Sequence, residues 1–269
     1  MLDFVIAIPS YHRSESIKDY TLKTLDRHEI PHNLIKVFVS KEEVQTYRKS
    51  LPEDIEVIES VVGCIENRAK IRDYYPKGKD IVYMDDDIKG IDSVCDMTEE
   101  HSTCHIFKRE NHQKDFYKKD IPIPNLMKFL RDAFVIMRKE GAYLAGVYPI
   151  SNGFMASHKY TVGLKYICGA FYMEINRKDF ALRAEQFSED FERTCAFYKR
   201  DGKVIRFDYC MVDTGFYKGK GGLVETRTVE LTKLAQEKLQ QMYPEFLKIV
   251  PPTKSNKYWN LKIIKQKTA

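Results

Sequence analysis

The first ninety residues alternate between short apolar runs and segments with helical periodicity, and this alternation restricts the fold more than any other feature of the sequence. Four apolar runs indicate strands, at residues 4–8, 34–40, 55–59 and 80–84. Helical patterns lie between them, at residues 16–28, 41–51 and 65–75. Strands and helices that alternate at this spacing are typical of a parallel sheet covered by helices on both faces. Ligands of such sheets bind beyond the carboxyl ends of the strands.

The rest of the chain continues with strands and helices after an interruption. Residues 92–124 are polar and without periodicity, which indicates a long loop or insertion. One helix is predicted from an N-cap at Asn125 to a C-cap at Gly141, and another from Ser188 to Gly202. A further helix is indicated at 226–246 and further strands at 143–150, 165–175 and 204–212. We therefore predict a single α/β domain with a mostly parallel central sheet flanked by helices.

Charge is unevenly distributed along the chain. The net charge is +5, but residues 1–100 have a net charge of −7 and residues 101–269 one of +12. A basic half of this kind suits a polyanionic partner, first of all nucleic acid, and a solvated lysine-rich surface is the alternative.

Cysteine use and hydropathy bear on the compartment. The six cysteines form no CxxC pair, which is typical of reduced thiols, and no apolar run approaches the roughly 18 residues that cross a bilayer. We therefore expect a soluble, cytoplasmic protein without a membrane partner.

Three consecutive aspartates, Asp85, Asp86 and Asp87, follow the apolar run at 80–84. Neighbouring carboxylates make one another harder to ionise. Alternate residues of a turn can present Asp85 and Asp87 toward the same space, where Mg²⁺ or Mn²⁺ would relieve their repulsion. The alternative is an acidic turn that caps a following helix.

Polar residues near the other strand ends belong to the same predicted edge of the sheet. A basic helix before the aspartates could neutralise a phosphate through Arg68 and Lys70 and bind a sugar hydroxyl through Asn67. A solvated basic helix face is the alternative reading of this segment. The candidate binding residues are Pro9, Ser10, Tyr11, Arg13, Val39, Ser40, Asn67, Arg68 and Lys70.

Read together, four segments resemble nucleotide-sugar-dependent glycosyltransferases of the GT-A fold. They are IAIPSYHRSESI, VFVS, GCIENRAKIRDYYPKGKDIVYMDDDIKG and SEDFERTCAFYKRDGK. More narrowly, they resemble the TET-associated and base J glycosyltransferases of phages and protists, which glycosylate hydroxymethylated pyrimidines in DNA. The resemblance covers about residues 4 to 225. It implies a single domain over residues 1–269, with a nucleotide-sugar-binding half (1–90), an acceptor half (91–250) and a basic tail (251–269).

The resemblance also implies roles for individual residues. Asp85 and Asp87 would hold Mn²⁺ or Mg²⁺ on the diphosphate of the donor, and Asp86 would belong to the donor site. The residues after the first two strands would bind uridine, and the group at Asn67 to Lys70 would face the sugar and phosphates. Lys218 and Lys220, in a KGKGG segment, would close over the diphosphate; a plain surface turn is the alternative there.

The SED segment matches the family motif that carries the catalytic base, which would be Asp190 here. A carboxylate at a helix N-terminus is kept ionised by the helix dipole and can accept a hydroxyl proton, although an acidic first turn is also ordinary helix chemistry. The sequence departs from the family in one respect. Many members have a C-terminal histidine as third metal ligand, but all seven histidines lie at or before His158, so Asp213 is the candidate substitute.

The implied activity is transfer of a sugar, glucose or a pentose such as arabinose, from a UDP-sugar to a hydroxyl group. The implied acceptor is 5-hydroxymethylcytosine or 5-hydroxymethyluracil in DNA, in the host cytoplasm if the protein is viral, as in a bacteriophage. The long loop and the tail with Tyr258 and Trp259 would follow the phosphate backbone. Two alternatives remain: the same enzyme with a polysaccharide, lipid or protein acceptor, and an inactive module that binds nucleotide sugars or nucleic acid.

Overall fold

A computed structural model describes most of the chain, with five segments longer than three residues left out. The described residues are 4–94, 106–107, 116–117, 122–152, 155–157, 159–178, 182, 187–214, 228–254 and 256–266. The helices within these residues are α1 (Lys23–Arg27), α2 (Val44–Ser50), α3 (Cys64–Tyr74), α4 (Leu126–Glu140), α5 (Glu189–Asp201) and α6 (Val229–Met242). A turn of π-helix, Lys18–Leu22, leads directly into α1.

Nine strands form one central sheet. Its members in chain order are β1 (Phe4–Pro9), β2 (Ile35–Ser40), β3 (Glu56–Ser60), β4 (Asp80–Met84), β5 (Ile88–Ser93), β8 (Leu144–Tyr148), β9 (Tyr160–Gly163), β10 (Phe171–Ile175) and β11 (Val204–Thr214). Their spatial order is β3-β2-β1-β4-β10-β8-β11-β5, and β9 also pairs with β11. Two small hairpins lie outside this sheet, formed by β6 (Ile106–Phe107) with β7 (Phe116–Tyr117) and by β12 (Leu247–Val250) with β13 (Asn260–Ile263).

The sheet is mostly parallel, as predicted. The first four strands pair in parallel, β10 runs antiparallel to both of its neighbours, and β8 and β11 return to the direction of β1. Six of the nine strands therefore point the same way. Their carboxyl ends meet at one edge of the sheet, the carboxyl edge.

Helices cover the sheet on both faces, which explains why its central strands are apolar throughout. Phe4, Ile6 and Ile8 of β1 share one core with α4, whose apolar side is buried through Phe129 and Phe134. The intervening residues of β1 share a second core with α3 and α5. Strands buried on both faces are fixed in register, so the residues that follow them are placed reproducibly at the carboxyl edge.

The helix ends predicted for α4 are confirmed. The Asn125 side chain accepts a hydrogen bond from the Lys128 amide at 2.8 Å, and Gly141 adopts the left-handed conformation (φ 67°) that ends the helix. The end of α5 at Gly202 is also left-handed, with φ 71°. Both ends of α4 and the C-terminal end of α5 therefore follow from local chemistry.

Two regions differ from the sequence-based expectation. β5 starts at Ile88, so the three aspartates form a turn between two strands, and the alternative of an acidic cap on a following helix is wrong. The pattern missed β5 because its partner, β11, is more than a hundred residues away in sequence. β13, in the basic tail, forms a hairpin with β12, which directly precedes the tail, and this hairpin packs on α5 and α6.

In the part of the chain that the structure describes, no helix has the length and apolar character required to cross a bilayer.

Candidate active site

The candidate active site lies at the carboxyl edge, where segments distant in sequence converge. Asp85, Asp86 and Asp87 follow β4 there, and Ser10 follows β1, the parallel neighbour of β4. The first turn of α5 reaches the same place through Glu189, which shares a hydrogen-bonding arginine with Asp85. The edge of the sheet thus brings together most of the acidic residues that the sequence singled out.

Asp86, the middle aspartate, points into the protein. Its carboxylate accepts a hydrogen bond from Ser10 Oγ at 2.5 Å and pairs with Arg13 Nη1 at 2.6 Å. Ser10 Oγ also lies 2.7 Å from Tyr47 Oη, which accepts the Arg13 amide at 3.0 Å. Burial raises the pKa of the Tyr47 phenol to about 12, so this hydroxyl is neutral. Ser10, Arg13 and Asp86 therefore fix the turn between β4 and β5.

Asp85 and Asp87 lie on either side of this anchor and remain partly exposed, at 36% and 29% of their side-chain surface. Burial and the neighbouring carboxylates raise the pKa of both, and Arg68 offsets part of the shift at Asp85. Asp87 Oδ2 is 3.6 Å from Arg13 Nη1. The fold thus holds two carboxylates together at a free-energy cost that a bound cation would lower.

These carboxylates suit a hard divalent cation, because Mg²⁺ and Mn²⁺ prefer oxygen ligands. Asp213, the candidate third ligand, lies near the end of β11 and pairs with Gly90 of β5. Among the residues that the structure describes, no three or more His, Cys, Asp or Glu side chains form a group that could hold a metal. Metal binding by Asp85 and Asp87, and the role of Asp213, therefore stay predictions.

Arg68 connects the aspartates to α5. Its guanidinium donates to Asp85 Oδ1 at 2.7 Å and to Glu189 Oε1 at 2.5 Å, and also to the Gly169 carbonyl at 3.0 Å. Only 4% of the Arg68 side chain and 7% of the Glu189 side chain are exposed. The predicted phosphate ligand Arg68 is thus a buried bridge between two acidic segments.

A second arginine completes this bridge. Arg193 Nη1 donates to Glu189 Oε2 at 2.6 Å, and its guanidinium carbon lies 3.7 Å from the centre of the Tyr172 ring. Burial alone would raise the pKa of Glu189, but Arg193 and Arg68 outweigh it and hold that pKa below the usual range. Sequence reasoning missed Arg193, although its i,i+4 spacing from Glu189 was a visible signal.

Asp190 lies beside Glu189 in the first turn of α5 but has different surroundings. Its carboxylate accepts hydrogen bonds from Tyr166 Oη at 2.5 Å and from the Phe191 amide at 2.9 Å. Burial and the charge of Glu189 raise the pKa of Asp190, although the Tyr166 hydroxyl favours its ionised form. A carboxylate with a raised pKa is a stronger base than an ordinary aspartate, which suits proton transfer near neutral pH.

Ser188 does not cap α5 through its side chain, contrary to the sequence-based expectation. It adopts the left-handed conformation (φ 70°), and its hydroxyl accepts a hydrogen bond from Gln236 Nε2 at 2.8 Å. The hydroxyl therefore links α5 to α6, which the local sequence could not indicate.

The remaining predicted residues are spread over several environments. Asn67 Oδ1 accepts a hydrogen bond from Ser60 Oγ, and Asn67 Nδ2 donates one to the Phe38 carbonyl. Lys70 lies on the exposed side of α3. The Tyr11 ring is 37% exposed and stacks on His12 at 3.9 Å. Pro9 ends β1 beside β2, where Val39 and Ser40 are buried. Lys218 and Lys220 lie outside the described residues.

A pocket of about 210 Å³ opens beside Asp190. Helices α5 and α6 form one side, and the loop between β12 and β13 forms another. Its lining residues are Tyr166, Phe187, Ser188, Asp190, Phe191, Thr232, Gln236, Asn256, Tyr258, Trp259 and Asn260. The basic tail thus contributes aromatic and amide side chains to the surroundings of Asp190.

Comparisons with known proteins give a fold but no family. No protein-family model matches the chain, and no curated protein matches its sequence. The crystal structure of residues 1–349 of S. aureus TarS in complex with UDP-GlcNAc is similar, with a TM-score of 0.52 and 13% identity. That match covers 88% of this chain and 66% of the TarS fragment, so the chain spans just under two thirds of that fragment. A crystal structure of a mycobacterial protein matches at 8% identity with a TM-score of 0.48, over 97% of this chain and 83% of that one.

At this identity the likeness to TarS shows a shared fold. Together with the observed sheet order, it confirms the predicted GT-A-type α/β architecture. Neither similar structure supports the narrower resemblance to the TET-associated and base J glycosyltransferases, which stays a prediction.

The different surroundings of Asp86 and Asp87 lead to a stability prediction. We expect Asp86→Ala to lower the free energy of unfolding by about 2 kcal/mol, because Ser10 and Arg13 lose a charged acceptor. Asp87→Asn should leave that free energy unchanged or raise it at neutral pH, because the raised pKa of Asp87 means that its charge disfavours the folded state. Urea unfolding of both variants measures the two free energies. An equal loss of stability in both variants would contradict the assignment of Asp86 as the buried anchor of the turn.

Binding of a divalent cation should be visible in the stability of the protein. We expect Mn²⁺ to raise the free energy of unfolding, by about 2.7 kcal/mol at a hundred times its Kd. Because the pKa values of Asp85 and Asp87 are raised, their charges cost stability as pH rises above the unfolded value of about 3.9. The stabilisation by Mn²⁺ should conversely disappear as pH falls through the raised pKa values of Asp85 and Asp87. Thermal unfolding with and without Mn²⁺ measures this; Asp87→Asn should lose the effect, while Asp132→Asn on α4 should keep it.

Proposed function

We propose that this protein is a metal-dependent glycosyltransferase that moves a sugar from a UDP-sugar to a hydroxyl group. One observation carries the proposal: Arg68 joins the aspartate turn after β4 to the start of α5 by hydrogen bonds to Asp85 and Glu189. On this support we assign Asp85 and Asp190 to one site. The fold adds support, because TarS, which shares it, has been crystallised in complex with UDP-GlcNAc.

The donor would bind along the carboxyl edge. Tyr11 offers an exposed aromatic ring there, and the residues that we assign to uridine are Pro9, Ser10, Tyr11, Arg13, Val39 and Ser40. Ser10 and Arg13 would act by holding Asp86 and hence the turn, since both already contact its carboxylate. Asn67 and Arg68 would likewise support the site from within, and Lys70, with Lys218 and Lys220, would supply positive charge to the diphosphate.

Asp85 and Asp87 would hold Mn²⁺ or Mg²⁺, with Asp213 as the candidate third ligand. The cation would neutralise charge that develops on the departing diphosphate. Asp86 would contribute indirectly, because its bonds to Ser10 and Arg13 keep the other two aspartates at the surface of the edge.

Asp190 would act as the general base. The acceptor oxygen would attack the anomeric carbon, the bond from that carbon to the diphosphate oxygen would break, and the hydroxyl proton would pass to the Asp190 carboxylate. Its raised pKa and its place at a helix N-terminus suit this role. Tyr166 would position the carboxylate through its hydrogen bond.

For the acceptor, we propose the hydroxymethyl group of 5-hydroxymethylcytosine or 5-hydroxymethyluracil in DNA. The support is the charge distribution, since residues 101–269 have a net charge of +12. A base within a duplex is out of reach, so it would be flipped out or presented on a single strand. We place the reaction in the cytoplasm, of a host cell if the protein is viral; the four cysteines among the described residues are unpaired thiols, as expected there.

The proposal is tested by incubating the protein with Mn²⁺, a panel of UDP-sugars, and DNA with and without hydroxymethylated pyrimidines. We expect a hexose or pentose mass on the modified nucleoside after digestion, together with release of UDP. Asp190→Asn should lower kcat by about 10²- to 10⁴-fold, because proton transfer is lost, whereas Asp132→Asn should not. Transfer to another acceptor would overturn only the DNA assignment. If no donor releases UDP under any condition, the chain is a binding module.

The role of Tyr166 is tested by the pH dependence of the rate. Its hydrogen bond favours the ionised form of Asp190, so Tyr166→Phe should raise the pKa of that carboxyl and move the acid limb of kcat/KM to higher pH. Tyr160→Phe is the matched control, because Tyr160 makes a similar hydrogen bond to Glu140, at 3.3 Å, away from the site. An equal loss of rate at every pH would indicate a structural role only.

A further inference from the structure

The C-terminal hairpin, defined as residues 247–263, has an unusual distribution of charge. Residues 246–269 contain six lysines and no acidic residue. The inner face of the hairpin is apolar, and Leu247 and Leu261 pack with α5 and α6. On the outer face, Lys248 stands directly opposite Lys262, and both side chains are exposed.

Like charges directly opposite each other destabilise a strand pair, so the hairpin keeps these lysines at a cost in stability. Another pair of neighbouring strands in the same protein shows the usual arrangement, in which Lys36 of β2 pairs with Glu56 of β3 at 2.5 Å. An anion that binds between Lys248 and Lys262 would remove their repulsion. The outer face of the hairpin is therefore suited to phosphate groups.

The loop of the same hairpin carries aromatic rings to the pocket beside Asp190. Tyr258 and Trp259 line that pocket together with the amide side chains of Asn256 and Asn260. The loop is held in shape, because Asn256 Oδ1 accepts the Tyr258 amide at 3.0 Å. Exposed lysines flank the rings in sequence, at Lys254 and Lys257 on one side and at Lys262 on the other.

We propose that the C-terminal hairpin binds single-stranded nucleic acid, with phosphates on Lys248 and Lys262 and a base in the pocket that Trp259 lines. Interleaved aromatic and basic side chains are the usual means of binding single strands, because every base has a face that can stack. The pocket volume of 210 Å³ suits one ring system rather than a folded partner. The inference rests on the proposed function only in taking Asp190 as the group that faces the acceptor.

The chain itself supplies a reporter for this site, because Trp259 is its only tryptophan. A single-stranded oligonucleotide should quench the tryptophan emission of the full-length protein as a base stacks in the pocket. Inorganic polyphosphate, which has charge but no bases, should bind without that quenching. Quenching by neutral oligosaccharides but not by the oligonucleotide would overturn the proposal in favour of a carbohydrate acceptor.

The lysines are tested by fluorescence anisotropy with the same oligonucleotide, fluorescein-labelled, over a range of salt concentrations. Lys248→Gln/Lys262→Gln should weaken binding and reduce the slope of log K against log salt by about 1.4, since each phosphate contact on a single strand contributes about 0.7. The matched control is Lys49→Gln/Lys77→Gln, which removes the same charge from exposed positions that precede β3 and β4. Trp259→Ala should weaken binding by roughly tenfold with the salt slope unchanged.

Equal slopes for the two lysine pairs, or an unquenched Trp259 in the presence of bound oligonucleotide, would overturn the proposal. Neither assay contains a donor sugar, so its outcome is independent of turnover. Nucleic-acid binding without sugar transfer would support this inference and count against the proposed function. Sugar transfer to DNA that is unchanged in Lys248→Gln/Lys262→Gln and in Trp259→Ala would support the proposed function and count against this inference.

Discussion

The buried guanidinium of Arg68 is the interaction on which the rest of the site depends. A buried charge is stable only if it is paired and hydrogen-bonded, and Arg68 obtains both carboxylates it needs from distant segments. Asp85 lies at the end of β4, and Glu189 is 121 residues from Arg68 in sequence. Gly169 permits the contact, because a Cβ at that position would lie 3.1 Å from Glu189 Oε1. The hydrogen bonds that the buried Arg68 guanidinium requires therefore fix the start of α5 relative to the carboxyl edge.

The site uses adjacent acids in two different ways. In each acidic segment, one carboxylate is held by arginine and buried, Asp86 by Arg13 and Glu189 by Arg68. The acids next to them, Asp87 and Asp190, have raised pKa values. At Glu189 and Asp190 the surroundings push the two pKa values apart, which is the usual means by which similar groups take different roles. The run of three aspartates thus consists of one anchor and two residues that the anchor positions.

The sequence predicted the parts of the structure that depend on local pattern. Strand periodicity located β1 to β4, and cap residues located the ends of α4, because burial and backbone conformation act over a few residues. The pairings of Arg68 and Arg193 with Glu189 could not be predicted in the same way. An acidic first turn looks the same whether its carboxylate faces water or a buried arginine. The tail was predicted as a basic segment, but its hairpin follows from packing on α5 and α6, which only the folded chain shows.

Charge also constrains how an acidic edge could accept an anionic donor. Residues 1–100 have a net charge of −7, and Arg13 and Arg68 at the edge are already paired with carboxylates. A diphosphate approaching Asp85 and Asp87 would be repelled unless a divalent cation reversed the local charge. On the proposed function, metal binding therefore precedes or accompanies donor binding. The loop of the C-terminal hairpin lines the pocket beside Asp190. On the proposed function, the donor would therefore meet an acidic turn and the acceptor a basic hairpin.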